Sequence, residues 1–163
     1  MPIPDFIVRL RQKIGHDLLW LPGATAVVLN GDDVLLVRRS DNRAWTPVTG
    51  IVDPGEHPSQ TATREVMEET GISCAVDALV WVNVTEPVVH ANGDQAQYLD
   101  HAFRCRYLGG VAHVADDECS DVGWFPANDL PGMAQVFEER IRRARQPVRL
   151  GGLDETTIAP ETH

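Results

Sequence analysis

The sequence predicts an α+β domain, and three observations support that prediction. Apolar residues recur at helical spacing in three separate stretches: near the N-terminus, at 58–70 and at 133–145. The segments between them are rich in β-branched residues and are bounded by glycine and proline, as strands are. Helices and strands do not alternate one by one as they do in βαβ proteins, which favours the α+β class. At 163 residues the chain fits one domain, which we assign to residues 1–146.

The N-terminal lead-in, residues 1–22, begins with a predicted helix. Residues 4–13 read PDFIVRLRQK, and Gly15 follows as a stop signal. The apolar side of this helix consists of Phe6, Ile7, Leu10 and Ile14. We expect it to cover the core rather than to form a dimer contact. An apolar run closed by Pro22-Gly23 separates it from the first strand.

The strands are marked by the turns between them. ATAVVLN and DVLLVRR flank Asn30-Gly31, a dipeptide that favours a β-hairpin between two such runs. A loop at 41–49 then leads to Gly50. Further strands are expected within 73–87, 97–110 and 121–126.

The helix at 58–70 has an unusual distribution of charge. Pro58 suits its first turn and Gly71 its C-terminal end. Glu65, Glu68 and Glu69 stand at i, i+3 and i+4, which stacks three carboxylates on one side. Its apolar side, formed by Ala62, Val66 and part of Thr70, is expected to face away from the glutamates and to pack on the sheet.

Three adjacent carboxylates destabilise a helix unless a cation lies among them. Carboxylate oxygens suit Mg²⁺ or Mn²⁺, and such sites commonly hold the phosphate oxygens of a substrate. Glu65, Glu68 and Glu69 are therefore candidate metal ligands and catalytic residues, and Glu65 is also a candidate general base. An acidic run alone is more often a solvated helix face, so the flanking residues decide between the two interpretations.

The flanking residues complete a longer pattern, G-x5-E-x7-R-E-U-x-E-E-x-G-U, in which U is aliphatic. Its fixed positions are filled by Gly50, Glu56, Arg64, Glu65, Val66, Glu68, Glu69, Gly71 and Ile72. Residues 50–72 thereby resemble the signature of the Nudix hydrolase family. The resemblance implies an αβα sandwich with a mixed β-sheet. It also implies divalent-metal-dependent hydrolysis of a pyrophosphate bond in a nucleoside diphosphate linked to another moiety.

The resemblance also implies roles for single residues. It supports Glu68 and Glu69 as the core metal ligands and adds the Gly50 carbonyl oxygen as a further one. It implies an ion pair between Glu56 and Arg64 that supports the site.

Family members often recruit another acid from a loop outside the signature. Glu118 is our candidate for this catalytic role, because it lies on the acidic loop that enters the strand at 121–126. Asp116 and Asp117 compete with it, and an ordinary acidic loop is an equal alternative.

Candidate substrate-binding residues lie outside the signature. Arg38 and Arg39 end the second strand, and since neighbouring strand residues point to opposite faces, only one is a good candidate. Trp45 stands in the loop where the family often has an aromatic-proline entry. Pro87 lies fifteen residues after Ile72, where many ADP-ribose pyrophosphatases of the family carry proline.

Pro87 slightly favours ADP-ribose or another nucleotide sugar as the substrate. Two alternatives stay open: a nucleoside triphosphate pyrophosphohydrolase that cleans the nucleotide pool, and a non-catalytic domain that senses nucleotides. The expected cofactor is Mg²⁺, with Mn²⁺ as a substitute. A homodimer is also plausible from the resemblance.

Composition limits the other partners. The formal net charge of −10 argues against binding to nucleic-acid backbones. Three cysteines without metal-binding spacing predict buried free thiols and a cytoplasmic protein. Neither a signal peptide nor an apolar stretch long enough for a membrane is apparent in the sequence.

The C-terminal part contains the last predicted helix. Its final turns carry Arg140, Arg142, Arg143 and Arg145, which we interpret as partners of the helix dipole on a solvated surface. Residues 147–163 lack periodicity and are predicted to form a mobile tail.

Overall fold

The computed structural model describes residues 3–147, so all of the predicted tail at 147–163 except its first residue lies outside the described residues. The helices are α1 (Asp5–Ile14), α2 (Pro58–Thr70) and α3 (Gln135–Arg145). The strands are β1 (Leu19–Asn30), β2 (Asp33–Arg39), β3 (Trp45–Thr46), β4 (Val48–Ile51), β5 (Ser73–Val84), β6 (Val88–Val89), β7 (Gln95–Gly109) and β8 (Cys119–Pro126). This order confirms the predicted α+β class.

The strands form one mixed sheet within the described part of the chain. Its main path runs β3-β2-β1-β7-β5, while β4 pairs with β1, β6 with β7 and β8 with β2. The pairing of β1 with β7 is parallel, and the other pairs are antiparallel. The mixed sheet confirms the fold that the signature implied.

The hairpin between β1 and β2 forms where Asn30-Gly31 predicted it. Asn30 pairs with Asp33 across a two-residue turn, and Gly31 has a φ of 61°. A left-handed backbone of this kind is costly for most residues but not for glycine, which explains why the turn falls here.

Strand β1 begins at Leu19, earlier than predicted, and continues through Pro22. We expected Pro22-Gly23 to end the preceding run, because proline cannot donate to a β-ladder. The Pro22 carbonyl instead accepts a hydrogen bond from the Val52 N–H at 3.1 Å, and β4 pairs with β1 only from Gly23 onward. The missing N–H therefore falls beyond the end of β4, where no ladder partner needs it.

Helices cover both faces of the sheet, which we call the α2 face and the α3 face. Ala62 and Val66 of α2 pack with Val28, Leu35 and other apolar strand residues on the α2 face. Ile141 and Ala144 of α3 pack against the opposite face. Helix α1 packs beside the start of β1, where its Ile7 is buried against Leu19, Leu21 and Ala96. The layers thus form an αβα sandwich.

The α3 arginines are not all solvated, as we had expected. Arg140 is buried, and its Nη2 lies 3.2 Å from an oxygen of buried Asp100 on β7. Arg140 stands three residues after Phe137 and four before Ala144, so it lies on the buried stripe of the helix. The prediction was wrong for this residue because helix position outweighed charge.

Two further observations concern the cysteines and the helices. Cys74, Cys105 and Cys119 are free, and the latter two are buried. Among residues 3–147, no helix is long and apolar enough to cross a membrane.

Candidate active site

Local sequence fixes both ends of helix α2, which carries the acidic residues. Its bounds, Pro58–Thr70, are those predicted, and the Gln60 side chain accepts a hydrogen bond from the His57 N–H at 3.0 Å. Gly71 follows in the left-handed conformation with φ of 68°, as a C-terminal cap does. The helix that carries the acidic residues therefore begins and ends where the sequence predicted.

The three carboxylates of α2 differ in exposure. Glu65 and Glu69 are only 1% and 4% exposed, whereas the Glu68 side chain is 47% exposed. We expected the glutamates to lie opposite the apolar side, but Ala62 is only about 20° from Glu69 around a helix of 3.6 residues per turn. The buried arc is wide enough to include two glutamates, so the carboxylates lie at the edge of the core.

Arg64 bridges the carboxylates around it. Its Nε and Nη2 donate to the two Glu56 oxygens at 2.9 and 3.0 Å, which is the ion pair expected from the signature. Its Nη1 also donates to Glu65 at 2.9 Å and to Glu68 at 3.1 Å. One guanidinium thus ties the loop before α2 to two of the three helix carboxylates.

Burial makes the two inner carboxylates difficult to ionise. Desolvation raises the pKa of Glu65 to about 8, although the charge of Arg64 opposes the shift. Desolvation likewise raises the pKa of Glu69 to about 7, and the nearby charges of Asp116 and Glu118 add to the effect. A shift in this direction marks a site with too little positive charge for its carboxylates.

Gly50 lies directly against Glu65. A Cβ atom at position 50 would stand 2.5 Å from Oε1 and 2.6 Å from Cδ of the Glu65 carboxyl group. Residue 50 is held in place by pairing between β4 and β1, opposite Ala24. The absence of a side chain therefore makes the space that the Glu65 carboxylate occupies.

A loop at 110–118 closes the C-terminal end of α2. The N–H groups of His113 and Ala115 donate at 3.1 Å to the carbonyl oxygens of Thr70 and Glu69, which a helix end leaves unpaired. The Glu118 carbonyl accepts the Ser40 N–H at 2.8 Å on the other side. The loop brings Asp116 and Glu118 close enough to act on the charge of Glu69.

Cys119 follows this loop and contacts Glu69 directly. Its Sγ lies 3.1 Å from Glu69 Oε2, and both side chains are buried. Burial raises the pKa of the thiol, so Cys119 keeps its proton and donates a hydrogen bond to the carboxylate. No sequence signal singled out this cysteine, because its partner lies fifty residues away along the chain.

The two strand arginines point to opposite faces, as expected. Arg39 pairs with Cys119 in the β2–β8 ladder, and its charge acts on Glu69 and Glu118. It also forms a two-bond ion pair with Asp41. Arg39 is therefore the arginine on the side of the acidic helix.

Arg38 and Trp45 lie on the α3 face. The Arg38 guanidinium is 6.0 Å from the centre of the Trp45 ring, which packs edge-on against Phe125. Pro87 is exposed between β5 and β6. The structure thus groups Gly50, Glu56, Arg64, the three α2 glutamates, Arg39 and Glu118, but not Arg38, Trp45 or Pro87.

The groups around the three α2 carboxylates show how these side chains suit a divalent cation. Among residues 3–147, no three His, Cys, Asp or Glu side chains form a ready-made metal cluster, and Arg64 instead supplies the positive charge beside Glu65 and Glu68. Glu65 Oε2 is nevertheless buried without a hydrogen-bond partner within the described residues. Because all the donors are hard oxygens and one is unsatisfied, the residues fit a divalent cation.

Known proteins resemble this chain in sequence and in fold. A MutT-like protein from Streptomyces ambofaciens is 33% identical over 121 residues, which cover 72% of this chain and 71% of the relative. A putative 8-oxo-dGTP diphosphatase from Bacillus subtilis strain 168 is 32% identical over 114 residues, or 69% of this chain and 71% of the relative. The crystal structure of a UDP-X diphosphatase shares the fold, with a TM-score of 0.63 at 22% identity over 86% of this chain and 68% of that one.

An acidic helix with a complete signature, packed on a mixed sheet, defines an enzyme of the pyrophosphohydrolase class. The NUDIX domain profile matches residues 20–145, and the chain belongs to the Nudix hydrolase family. Nudix hydrolases generally require a divalent metal ion and act on small nucleotides. The alternative of a non-catalytic sensing domain is thereby set aside.

Proposed function

We propose that this protein uses Mg²⁺, or Mn²⁺ in its place, to hydrolyse a pyrophosphate bond within a nucleotide. The observation that carries the proposal is the pair of buried carboxylates, Glu65 and Glu69, whose pKa values are raised by burial without enough compensating positive charge. A bound divalent cation would supply that charge, neutralise the phosphates and promote loss of a proton from water.

The α2 carboxylates and the Gly50 carbonyl oxygen are the proposed metal-binding groups. Glu65 and Glu69 lie at the edge of the core, while Glu68 faces solvent, so the donors extend from the core to the surface. Arg64 keeps Glu65 and Glu68 near each other through its shared Nη1. This bracing supports the role of Arg64 and Glu56 as structural supports of the site.

Two acids are proposed for proton transfer. Glu65 is buried, and its Oε2 has no hydrogen-bond partner among residues 3–147, which leaves that oxygen able to accept a proton. Glu118 is the second acid, and its competitor Asp116 also acts on the charge of Glu69 from the loop at 110–118. Arg39 places a positive charge near Glu69 and Glu118 and is the proposed phosphate-binding arginine.

For the substrate we propose a nucleoside diphosphate linked to another moiety, such as ADP-ribose or another nucleotide sugar. The position of Pro87 relative to the signature supports this class. A second candidate is a nucleoside triphosphate, which the name of the Bacillus subtilis relative supports. Arg38, Trp45 and Pro87 stay proposed substrate contacts outside the acidic cluster.

A substrate panel with product analysis tests the proposal. A nucleotide sugar would give a nucleoside monophosphate and a sugar phosphate, whereas a triphosphate would give a nucleoside monophosphate and pyrophosphate. We expect one of these product pairs with Mg²⁺ or Mn²⁺ and none after chelation with EDTA. Activity that persists in EDTA, or the absence of turnover across the panel, would refute the proposal.

Assembly and location stay predictions. A homodimer is proposed from the family resemblance, and sedimentation or light scattering would measure it. The cytoplasmic location is proposed from the three free cysteines, which fit a reducing compartment.

A further inference from the structure

A buried thiol holds the carboxylate of Glu69. Cys119 Sγ lies 3.1 Å from Glu69 Oε2, and the two residues are 5% and 4% exposed. Among residues 3–147, Cys119 is the residue whose side chain donates a hydrogen bond to the Glu69 carboxylate. Because neither group is open to solvent, water does not compete freely with the thiol for the carboxylate.

The backbone on both sides of this contact is fixed. Cys119 pairs with Arg39 in the β2–β8 ladder, and the preceding residue accepts a hydrogen bond from the Ser40 N–H. The Glu69 carbonyl oxygen accepts the Ala115 N–H at 3.1 Å. The loop that ends at Cys119 is therefore attached both to the sheet and to the last turn of α2, which holds the thiol at one distance from the carboxylate.

The other side of the Cys119 side chain faces apolar residues. It belongs to the buried cluster on the α2 face, together with Val37, Leu35 and Cys105. The thiol thus combines two properties: it fills apolar space, and it donates one hydrogen bond to Glu69. Removal of the donor would leave Oε2 buried without a partner and free to rotate.

We propose that Cys119 is a positioning residue for the divalent metal ion. Its S–H group fixes the Glu69 carboxylate in the orientation from which that carboxylate binds the cation. The proposal rests on the proposed function, because it requires Glu69 to be a metal ligand. Groups that orient a metal ligand through a hydrogen bond typically affect metal affinity about 10–100-fold.

The test is a Mn²⁺ titration of the full chain without nucleotide, in which electron paramagnetic resonance measures the concentration of free Mn²⁺. We expect Cys119→Ala to raise the Kd for Mn²⁺ by about 10-fold or more. Cys119→Ser keeps a hydroxyl donor and should restore most of the affinity. Cys105→Ala removes a buried thiol from the same cluster without touching Glu69, and it should leave Mn²⁺ binding unchanged. Should Cys119→Ala fail to fold, Cys119→Val fills the space without a donor and replaces it.

Each outcome separates the positioning role from the proposed function. Glu69→Gln is measured in parallel and should lose Mn²⁺ affinity at least as strongly as Cys119→Ala. Weak binding by Glu69→Gln together with wild-type binding by the Cys119 variants would overturn the positioning role alone. Equal losses in Cys119→Ser and Cys119→Ala, or an equal loss in Cys105→Ala, would also overturn it, because packing would then explain the effect. Wild-type binding by Glu69→Gln would instead overturn the metal assignment itself.

Discussion

At the scale of the residue, the site depends on carboxylates that the fold keeps partly out of water. Glu65 is buried against Gly50, and Arg64 donates to its Oε1 while Oε2 has no hydrogen-bond partner among residues 3–147. An unsatisfied buried oxygen costs free energy, which a bound cation would recover. The unsatisfied Glu65 oxygen therefore destabilises the metal-free site and favours binding of a metal ion.

Gly50→Ala tests how tightly this space is defined. The added methyl group would overlap the Glu65 carboxylate, which has little room to move because it is buried and bonded to Arg64. We expect the substitution to lower the free energy of unfolding by about 1–3 kcal/mol, as overpacking does, and to reduce kcat and the affinity for Mg²⁺. Urea unfolding and a Mg²⁺ titration of turnover measure the two effects.

Gly109→Ala is the matched control for Gly50→Ala, because a Cβ atom at position 109 would meet nothing within 4 Å. It should leave both quantities near those of the wild type. Unchanged kcat and Mg²⁺ dependence in Gly50→Ala would contradict the packing of residue 50 against Glu65.

At the scale of the element, helix α3 is attached to the sheet by charge as well as by apolar packing. Arg140 reaches Asp100 on β7, and Thr25 Oγ1 donates to that carboxylate at 3.0 Å. The Arg143 guanidinium lies 4.5 Å from the centre of the Trp81 ring on β5. Helix α3 thus contacts β1, β5 and β7 on the face of the sheet opposite to α2.

Arg140→Met should be among the most destabilising changes in α3. It leaves the buried Asp100 carboxylate without its cation, which typically costs about 3–5 kcal/mol in the free energy of unfolding. Arg142→Met removes a 54% exposed arginine from the same helix and should cost no more than about 1 kcal/mol. Urea unfolding of both variants compares the two sites directly.

A double variant checks the origin of that cost. Asp100→Asn in the Arg140→Met background removes the unpaired charge, so stability should partly return. If Arg140→Met costs no more than Arg142→Met, the buried ion pair does not hold α3 in place.

The contribution of Glu139 on α3 to the stability of the protein depends on pH. Hydrogen bonds from Arg142, and then from Arg143, lower the pKa of Glu139 to about 2 from its ordinary value of 4.5. A carboxylate with a lowered pKa in the folded state stabilises the protein above about pH 4.5, and this contribution disappears as the pH falls towards 2. We expect Glu139→Gln to lose roughly 1 kcal/mol at pH 7, about half of that or less at pH 3 and little at pH 2, because the pairs are partly exposed.

Chemical denaturation of wild type and Glu139→Gln at several pH values measures this difference. Glu138→Gln, on the exposed side of the same turn, controls for the loss of one negative charge. A stability difference that stays constant from pH 7 to pH 2 would contradict the assignment to Glu139.

At the scale of the whole molecule, local sequence predicted the helices and the longer strands, and the signature predicted the fold. The expected loop at 41–49 was wrong in part, because β3 and the start of β4 lie there. Proline and glycine mark both ends of α2, and Asn30-Gly31 marks the first hairpin, so these boundaries depend on residues close together in the chain. The burial of Arg140 and the contact between Cys119 and Glu69 join segments that are far apart in sequence. No local pattern contains that information, because tertiary packing alone brings those residues together.

The acidic site likewise combines a feature that the sequence predicted with features that it did not. The spacing of Glu65, Glu68 and Glu69 was readable from the sequence, but their unequal exposure was not. Exposure depends on how α2 is rotated against the sheet, and a pattern of charges does not fix that rotation. The contacts of Arg64 with three carboxylates also follow from the rotation rather than from the spacing alone.

The central claim is that the buried carboxylates of α2 bind the metal that drives hydrolysis, and the kcat of Glu69→Gln tests it most directly. With the substrate that the panel identifies and with saturating Mg²⁺, we expect kcat to fall about 100-fold or more, as it does when a group that stabilises charge is lost. Without metal, the free energy of unfolding should not fall at neutral pH, because burial raises the pKa of Glu69 to about 7 and a neutral side chain is easier to bury. Glu86→Gln, in the exposed segment after β5, is the control and should retain kcat. Near-normal kcat in Glu69→Gln would contradict the claim.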